Sequence, residues 1–205
     1  MALAIRDVQA HELDSILALN NTAGPTILPL DSVGIRWFFD NACYFRLAEV
    51  DGNIAGFLLA LRENVAYTSP NYLWFREHCA EFAYIDRIVV ARGYRRLGLG
   101  RVFYADVISY AELRVETLAC EVFLDPHDDI SILFHGSWGF REIGQQVMPD
   151  TGRRVSLLTK HLCSHAFVRD TYLAGATGQL PSLPWLTERP IRHDEPVGAR
   201  AAGGA

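Results

Sequence analysis

Apolar and polar positions along this chain follow two periods, and the switches between them mark out its elements. Residues 2–8 read as a short strand. Residues 10–21 carry Leu13, Ile16, Leu17 and Leu19 at helical spacing, and Thr22-Ala23-Gly24-Pro25 ends the pattern. Residues 30–41 read as a second helix with Asp31 or Ser32 as N-cap. Two apolar runs, 43–50 and 53–61, flank Asp51-Gly52, a dipeptide suited to a type I′ hairpin turn. Residues 65–80 are aromatic-rich and punctuated by Ser69-Pro70-Asn71, which predicts a long loop with one helical turn at most. Residues 82–90 form a strand of β-branched and aromatic residues, and Leu99, Phe103, Val107 and Ala111 mark the helix that follows. A strand at 117–124, a helix at 128–138 and strands at 139–148 and 153–162 complete the pattern. The order βααβββαβαββ predicts a mixed sheet with helices on both faces. Beyond residue 165 scattered prolines and a closing Ala-Ala-Gly-Gly-Ala predict a disordered or loosely attached tail. Within it, residues 180–186 are apolar enough to dock on the domain or on a second subunit, which makes a homodimer an expectation.

The chemistry concentrates between the 82–90 strand and the helix after it. Strand, glycine-bearing loop and helix present backbone N–H groups to a phosphate, because the first N–H groups of a helix lack internal partners and carry the positive end of its dipole. Gly98 and Gly100 keep side chains out of the way, and Arg95, Arg96 and Arg101 surround the spot with cationic charge. Spacing narrows the kind of loop. Arg101-Val102 stands where a Walker loop needs Lys-Ser or Lys-Thr, and Phe103 stands where a dinucleotide fingerprint needs its third glycine. What remains is Arg/Gln-x-x-Gly-x-Gly/Ala.

Composition limits the ligand. The chain has 205 residues, 50% hydrophobic and 21% charged, which is ordinary for one globular domain, and its formal charge of −5 gives no footprint for nucleic acid. A local basic patch on an acidic background is better explained by a bound anion. No apolar run approaches a membrane span, so no membrane partner is expected. The first residues carry no export pattern, and Cys43, Cys79, Cys120 and Cys163 are too far apart to suggest a metal or redox pair; both point to a cytoplasmic protein with reduced thiols and no metal.

The segment Val90-Ala91-Arg92-Gly93-Tyr94-Arg95-Arg96-Leu97-Gly98-Leu99-Gly100 resembles the coenzyme-A loop of the GNAT superfamily of acyl-CoA-dependent N-acetyltransferases. Phe134-His135-Gly136-Ser137-Trp138-Gly139-Phe140 resembles that superfamily's Phe/Leu-Tyr-x-x-x-Gly-Phe, and the element order over residues 2–162 is the one the superfamily shows. The resemblance implies an α/β (α+β) fold with a mixed, mostly antiparallel central sheet flanked by helices, a domain over 1–164 and a separate tail over 165–205. It implies acetyl-CoA as co-substrate, bound in a cleft where the strand ending at Val90 parts from the 119–124 strand. Ile88, Val89 and Val90 would pair with the pantetheine arm, and Arg95, Arg96, Leu97, Gly98, Leu99, Gly100 and Arg101 would hold the pyrophosphate. Arg96 departs from a common Gly. Asp128 replaces an Asn that contacts coenzyme A, and Ser131 is the candidate substitute.

For the chemistry, the family often has a Glu where this chain has Tyr84. Asp86, on the same face of an alternating strand, is the first candidate for general base, and Glu121 on the adjacent strand is the second. His135 stands where the family has the Tyr that protonates the leaving thiolate. Tyr67, Asn71, Tyr72 and Trp74, with Tyr84, are candidates for an acceptor wall, and Asn20-Asn21-Thr22 for further polar contacts. The implied activity is acetyl transfer to a primary amine of a small molecule or amino-acid-like acceptor, a protein N-terminus being a further option. The alternatives are a non-catalytic acyl-CoA-binding module and an interaction protein recruited through the tail.

Overall fold

The computed structural model describes residues 2–125, 129–149 and 151–174. Its core is a seven-stranded sheet in the order β1-β2-β3-β4-β5-β7-β6. The strands are β1 (Leu3–Asp7), β2 (Tyr44–Val50), β3 (Asn53–Arg62), β4 (Phe82–Val90), β5 (Thr117–Phe123), β6 (Arg141–Val147) and β7 (Arg154–His161). All neighbours are antiparallel except β4 and β5. The helices are α1 (Leu13–Asn21), α2 (Ser32–Asn41), α3 (Pro70–His78), α4 (Leu99–Ala111), α5 (Asp129–Ser137) and α6 (Cys163–Val168). Among the described residues no helix is long and apolar enough to cross a membrane.

Local signals place most of these elements. The β2–β3 turn has φ of 48° at Asp51 and 81° at Gly52, the two positive values a type I′ turn needs. Asp31 is the cap of α2, its Oδ1 accepting from the Gly34 N–H at 2.7 Å. The 65–80 segment corrects the loop expectation: it holds the nine-residue helix α3. Pro70 occupies the first helical turn, where its missing N–H costs nothing, so Ser69-Pro70-Asn71 marks a helix start. At the C-terminal end α6 runs across the expected 164/165 boundary and buries His165. The 180–186 segment and Asp128 lie outside the described residues.

Each face of the sheet carries its own apolar core. On one face Phe103, Tyr104, Val107 and Ala111 of α4 pack on Leu58, Ala60, Ile85 and Leu118. On the other, Ile16, Ile35, Phe38, Tyr72 and Phe75 of α1, α2 and α3 pack on Phe57, Leu59, Tyr84 and Leu157. Each such buried side chain contributes about 1.5–3 kcal/mol against exposure, so the two helical layers fix the sheet from both sides. α4 is also tied by charge: Arg46 Nη1 meets Asp106 Oδ2 at 2.7 Å, and its Nε meets Asp7 Oδ1 at 3.0 Å, inside the structure.

Two irregularities shape the middle of the sheet. β4 and β5 pair only at Phe82–Thr117, Ala83–Leu118 and Tyr84–Ala119, and beyond Tyr84 they part. On its other side β4 follows β3, with a bulge: Leu59 faces Arg87 and Ala60 faces Ile85, leaving Asp86 as the extra residue. The bulge places Asp86 and Arg87 side by side. Gly56 lets the free end of β4 lie close on β3, since a Cβ there would stand 2.5 Å from Val89 O and 3.4 Å from the Phe103 ring. Gly56→Ala should therefore lower unfolding free energy by about 1–3 kcal/mol, read as a reduced urea midpoint with unchanged slope.

Candidate functional site

The parting strands open a cavity of about 570 Å³ that passes through the sheet. Ile85, Ile88 and Val90 of β4 and Cys120 and Val122 of β5 belong to the α4 face. Asp86, Arg87 and Val89 with Glu121 and Phe123 line it toward the other face, where the α1–α2 loop covers it with Ala23, Pro25, Thr26 and Ile27. Beyond Tyr84 the β5-facing backbone of β4 has no strand partner, and apart from Val90 O, which accepts from Arg95, its polar groups are available to an extended ligand.

At one end of the cavity lies the glycine loop. Gly98 caps α4 in the left-handed region, φ 83°, and the first intrahelical bonds, from the Arg101 and Val102 N–H groups, both reach Gly98 O. The N–H groups of Leu99 and Gly100 precede them at the positive end of the helix dipole. Arg96 also has a left-handed backbone, φ 66°, which accounts for glycine being common at that position of the motif. Left-handed residues at 96 and 98 give the curl of an anion-binding nest. Leu97 is half exposed and Arg101 exposed, whereas the Leu99 side chain is in the core, leaving only its backbone to face a ligand. Gly100, Arg95, Ile88, Val89, Val90 and Ser131 all line the cavity. Arg95 spans its edge, donating from Nε to Val90 O at 3.2 Å and from Nη2 to Ala23 O at 3.1 Å. A cradle without side chains, flanked by arginines and continuous with an unpaired strand edge, fits a phosphate-bearing ligand with an extended arm.

The carboxylates divide into one that is held and one that is not. Asp86 is buried, with Oδ1 accepting from Tyr67 O–H at 2.7 Å and Oδ2 from Arg87 Nε at 2.6 Å. Both oxygens thus have donors, and the expected role of Asp86 as base meets a fixed ion pair. Burial, with the adjacent Asp86 charge, raises the Tyr67 phenol, which stays a donor. Glu121 alternates with Cys120 and Val122 on β5, so it points to the face opposite α4. Its Oε2 accepts from Tyr84 O–H at 2.6 Å, and Asn71 supplies a second side-chain hydrogen bond. Asn71 Oδ1 accepts from Gln146 Nε2 at 3.2 Å, which leaves the Asn71 amide hydrogens for Glu121. Desolvation pushes the Glu121 carboxyl up to about 7; the nearby Asp86 charge acts in the same direction, while the Tyr84 and Asn71 hydrogen bonds oppose it.

His135 lines the cavity but has both ring nitrogens engaged. Nδ1 is 2.7 Å from Ser131 O and Nε2 is 2.6 Å from the Tyr104 hydroxyl. A carbonyl only accepts, so in the neutral ring Nδ1 carries the hydrogen and Nε2 accepts from Tyr104. Cys120 is buried in the wall, and burial pushes its thiol well above the ordinary range, which keeps it un-ionised and a poor nucleophile.

The five residues expected as an acceptor wall are drawn away from the cavity, and none lines it. The cause is α3. Its core face buries Tyr72 completely, with the hydroxyl donating to Arg62 O at 2.6 Å. Trp74 stacks on His78 at 3.7 Å and lies over Gly144 of β6. Tyr67, Asn71 and Tyr84 instead form the layer behind the two carboxylates. Asn20 and Asn21 are likewise structural: Asn20 Oδ1 accepts from Arg87 Nη1 at 2.9 Å, and Asn21 pairs with both backbone groups of Leu30 at 2.9 Å. Glu121 carried a signal in sequence, being the one acid in an otherwise apolar strand.

No curated protein matches the chain in sequence. Among solved structures it is similar to the ribosomal-protein-S18-alanine N-acetyltransferase of Escherichia coli, at 17% identity, TM-score 0.61, over 78% of this chain and 94% of that one. It is similar to Ard1 of Thermoplasma volcanium at 17% identity and TM-score 0.62, over 79% and 99% of the two chains. Arabidopsis thaliana Naa50 in complex with the bisubstrate analogue CoA-Ac-MVNAL gives 16% identity and TM-score 0.61, over 78% and 99%. At these identities the likeness establishes the fold. The acetyltransferase (GNAT) family model matches residues 11–140, the span that runs from α1 through the glycine loop to the start of β6, and with it the chain belongs to the GNAT acetyltransferase family.

Proposed function

We propose that this protein transfers an acetyl group from acetyl-CoA to a primary amine, by direct attack of the amine with no covalent enzyme intermediate. The observation that carries the reading is the continuity of one cavity: an anion nest at one end, an unpaired strand edge along its length, and a carboxyl poised near neutrality at its acceptor side. Several fold relatives are N-acetyltransferases by name, and one was solved with a CoA-based bisubstrate analogue, which supports the same reading.

The 95–101 loop would hold the pyrophosphate through backbone N–H groups, and the free edge of Ile88 to Val90 would hold the pantetheine amides. Acetyl-CoA, when bound, supplies an activated acyl thioester. The chain's own residues handle the protons. Glu121 takes one from the acceptor ammonium, with Tyr84 and Asn71 fixing the orientation of its carboxylate. A base with a pKa near the operating pH combines a useful ionised fraction with enough basicity to accept the proton. Asp86, paired with Arg87, holds the Tyr67 hydroxyl and fixes the layer behind Glu121. The Tyr104 hydroxyl stands on the wall shared with the pantetheine edge and hydrogen-bonds His135 Nε2: with the ring neutral its hydrogen is committed to that nitrogen, and with the ring protonated Nε2 donates to the phenol oxygen, so that the Tyr104 hydrogen goes to the departing sulfur and the imidazolium proton replaces it. His135 then acts through Tyr104, a different route from direct donation by the imidazole.

Gly98→Trp should weaken coenzyme A binding at least about tenfold by calorimetry, because a bulky side chain blocks approach to the nest. Glu121→Gln should lower kcat/KM about 10²–10³-fold while leaving coenzyme A affinity nearly intact; the parent rate should rise with pH through about 7 as Glu121 ionises. A parent protein that binds acetyl-CoA and releases no thiol with any amine would instead mark a binding module.

The same carboxyl has a stability signature. Its pKa is about 7 when folded against an ordinary 4.5, so between those values the folded chain binds more protons than the unfolded one, and stability falls as pH rises. Glu121→Gln removes that cost. The variant should match the parent near pH 4 and exceed it at pH 8 by about 3 kcal/mol in urea unfolding.

A further inference from the structure

Arg87 carries a donor that the fold does not use. Its guanidinium is fixed by its other atoms. Nε donates to Asp86 Oδ2 at 2.6 Å, and Nη1 donates to Asn20 Oδ1 at 2.9 Å and to Leu28 O at 3.2 Å. Cζ lies 4.9 Å over the Phe38 ring. Among the described residues Nη2 has no hydrogen-bond partner. The residue is 7% exposed and lines the cavity. Arg153 Nη2 is sealed without a partner, whereas Arg87 Nη2 is not sealed, so the little of this side chain that stays accessible opens on the cavity. Its anchors, Asn20 and Leu28, belong to α1 and the loop after it, which puts the guanidinium on the acceptor side. Two N–H groups held rigidly at a cavity wall, with nothing to receive them, suit a ligand oxygen. Asp86 offsets the arginine charge, so that oxygen can be neutral or anionic.

We infer that Arg87 Nη2 takes an oxygen of the acceptor, and that the acceptor is an α-aminoacyl compound, an amine whose neighbouring carbon bears a carboxylate or an amide carbonyl. This rests on the acetyl-transfer reading of the same site. The physical reason is placement. Glu121 on β5 and Arg87 on β4 stand on the two strands that part, and both line the gap. In an α-aminoacyl group the nitrogen and the oxygen are three bonds apart, so one small fragment offers its amine to the first and its oxygen to the second. The remaining wall on this side, Ala23, Pro25, Ile27 and Phe123, is apolar and meets the rest of the ligand. A plain alkylamine covers Nη2 without giving it an oxygen. A charged donor covered and left unpaired costs more than a contact that was never offered, so the site discriminates against such amines.

The test compares amines that differ at that oxygen. L-alanine, L-alaninamide and an Ala-initiated tripeptide amide are set against isopropylamine, by thiol release from acetyl-CoA. The best of the three should show kcat/KM at least about tenfold above isopropylamine. Arg87→Lys, checked for fold by its coenzyme A affinity, keeps an ammonium for Asp86 and removes Nη2. It should shrink that ratio at least about tenfold, and amine basicity, being the same for both proteins, cancels. In the parent, L-lactamide has the oxygen and no amine. It should compete with the amine at least about tenfold more strongly than 2-propanol, a comparison that needs no variant to fold. L-alanine above the two amides identifies a free amino acid, and the amides above L-alanine identify a peptide or amide; either supports the oxygen site. Isopropylamine used as well as the best of the three overturns the inference alone. So does a ratio that folded Arg87→Lys leaves unmoved, or L-lactamide no better than 2-propanol. No thiol release from any amine overturns acetyl transfer, and this inference with it.

Discussion

The parting of β4 from β5 is the constraint on which the rest of the structure depends. A sheet normally satisfies both edges of an interior strand, and leaving one edge bare inside a domain is costly. Here the two strands keep only three residue pairs at one end. The opening persists because each strand is held by something other than its partner. β4 is held along its other edge by β3, with Gly56 allowing close approach, and β5 is held along its length by β7. α4 and the α1–α2 loop then cap the gap from opposite faces. The result is a gap in the sheet lined by residues of both of its faces.

The bulge at Asp86 determines how charge is distributed around that passage. In an unbroken strand Asp86 and Arg87 would point to opposite faces. With the extra residue both side chains stand on the same side and neutralise each other, while Arg87 also anchors Asn20 and the Leu28 carbonyl. Glu121 on the neighbouring strand has, among the described residues, hydrogen bonds and no ion pair, and burial pushes its carboxyl up to about 7. Two carboxylates within one site therefore differ in character: the bulge gives Asp86 an arginine partner, and desolvation sets Glu121 apart.

Much of this was legible in the sequence where the signal is local. The Asp51-Gly52 hairpin, the Asp31 cap and the strand–glycine loop–helix unit rest on residues a few positions apart, and they form as their chemistry dictates. The mixed sheet flanked by helices followed from element order. α3 was not legible, because proline read as a breaker also suits a first helical turn, and the two uses differ only in what comes next. The expected acceptor residues do not line the cavity for the same reason: an aromatic segment looks alike whether it lines a pocket or packs a core, and Tyr72 and Trp74 are committed to contacts with the sheet. The bulge left no trace in the residue pattern, since Asp-Arg is unremarkable on a strand. The sequence therefore ranked Asp86 before Glu121 without the hydrogen-bond partners that distinguish them.

The loop that covers the acceptor side is fastened by side chains at its two ends and only through backbone oxygens along its middle. Asn20 and Asn21 at one end grip Leu28 and Leu30 at the other, and Arg87 joins that knot to the central strand. The intervening residues 23–27 supply the wall with their side chains and are held through their backbone, Ala23 O by Arg95 and Pro25 O by Arg153. Such a loop is free to drift in evolution: its tip can change residue by residue while the anchors, the strand and the proton-handling groups stay in place. A lineage built on this plan can explore new acceptors without first surviving the loss of its fold.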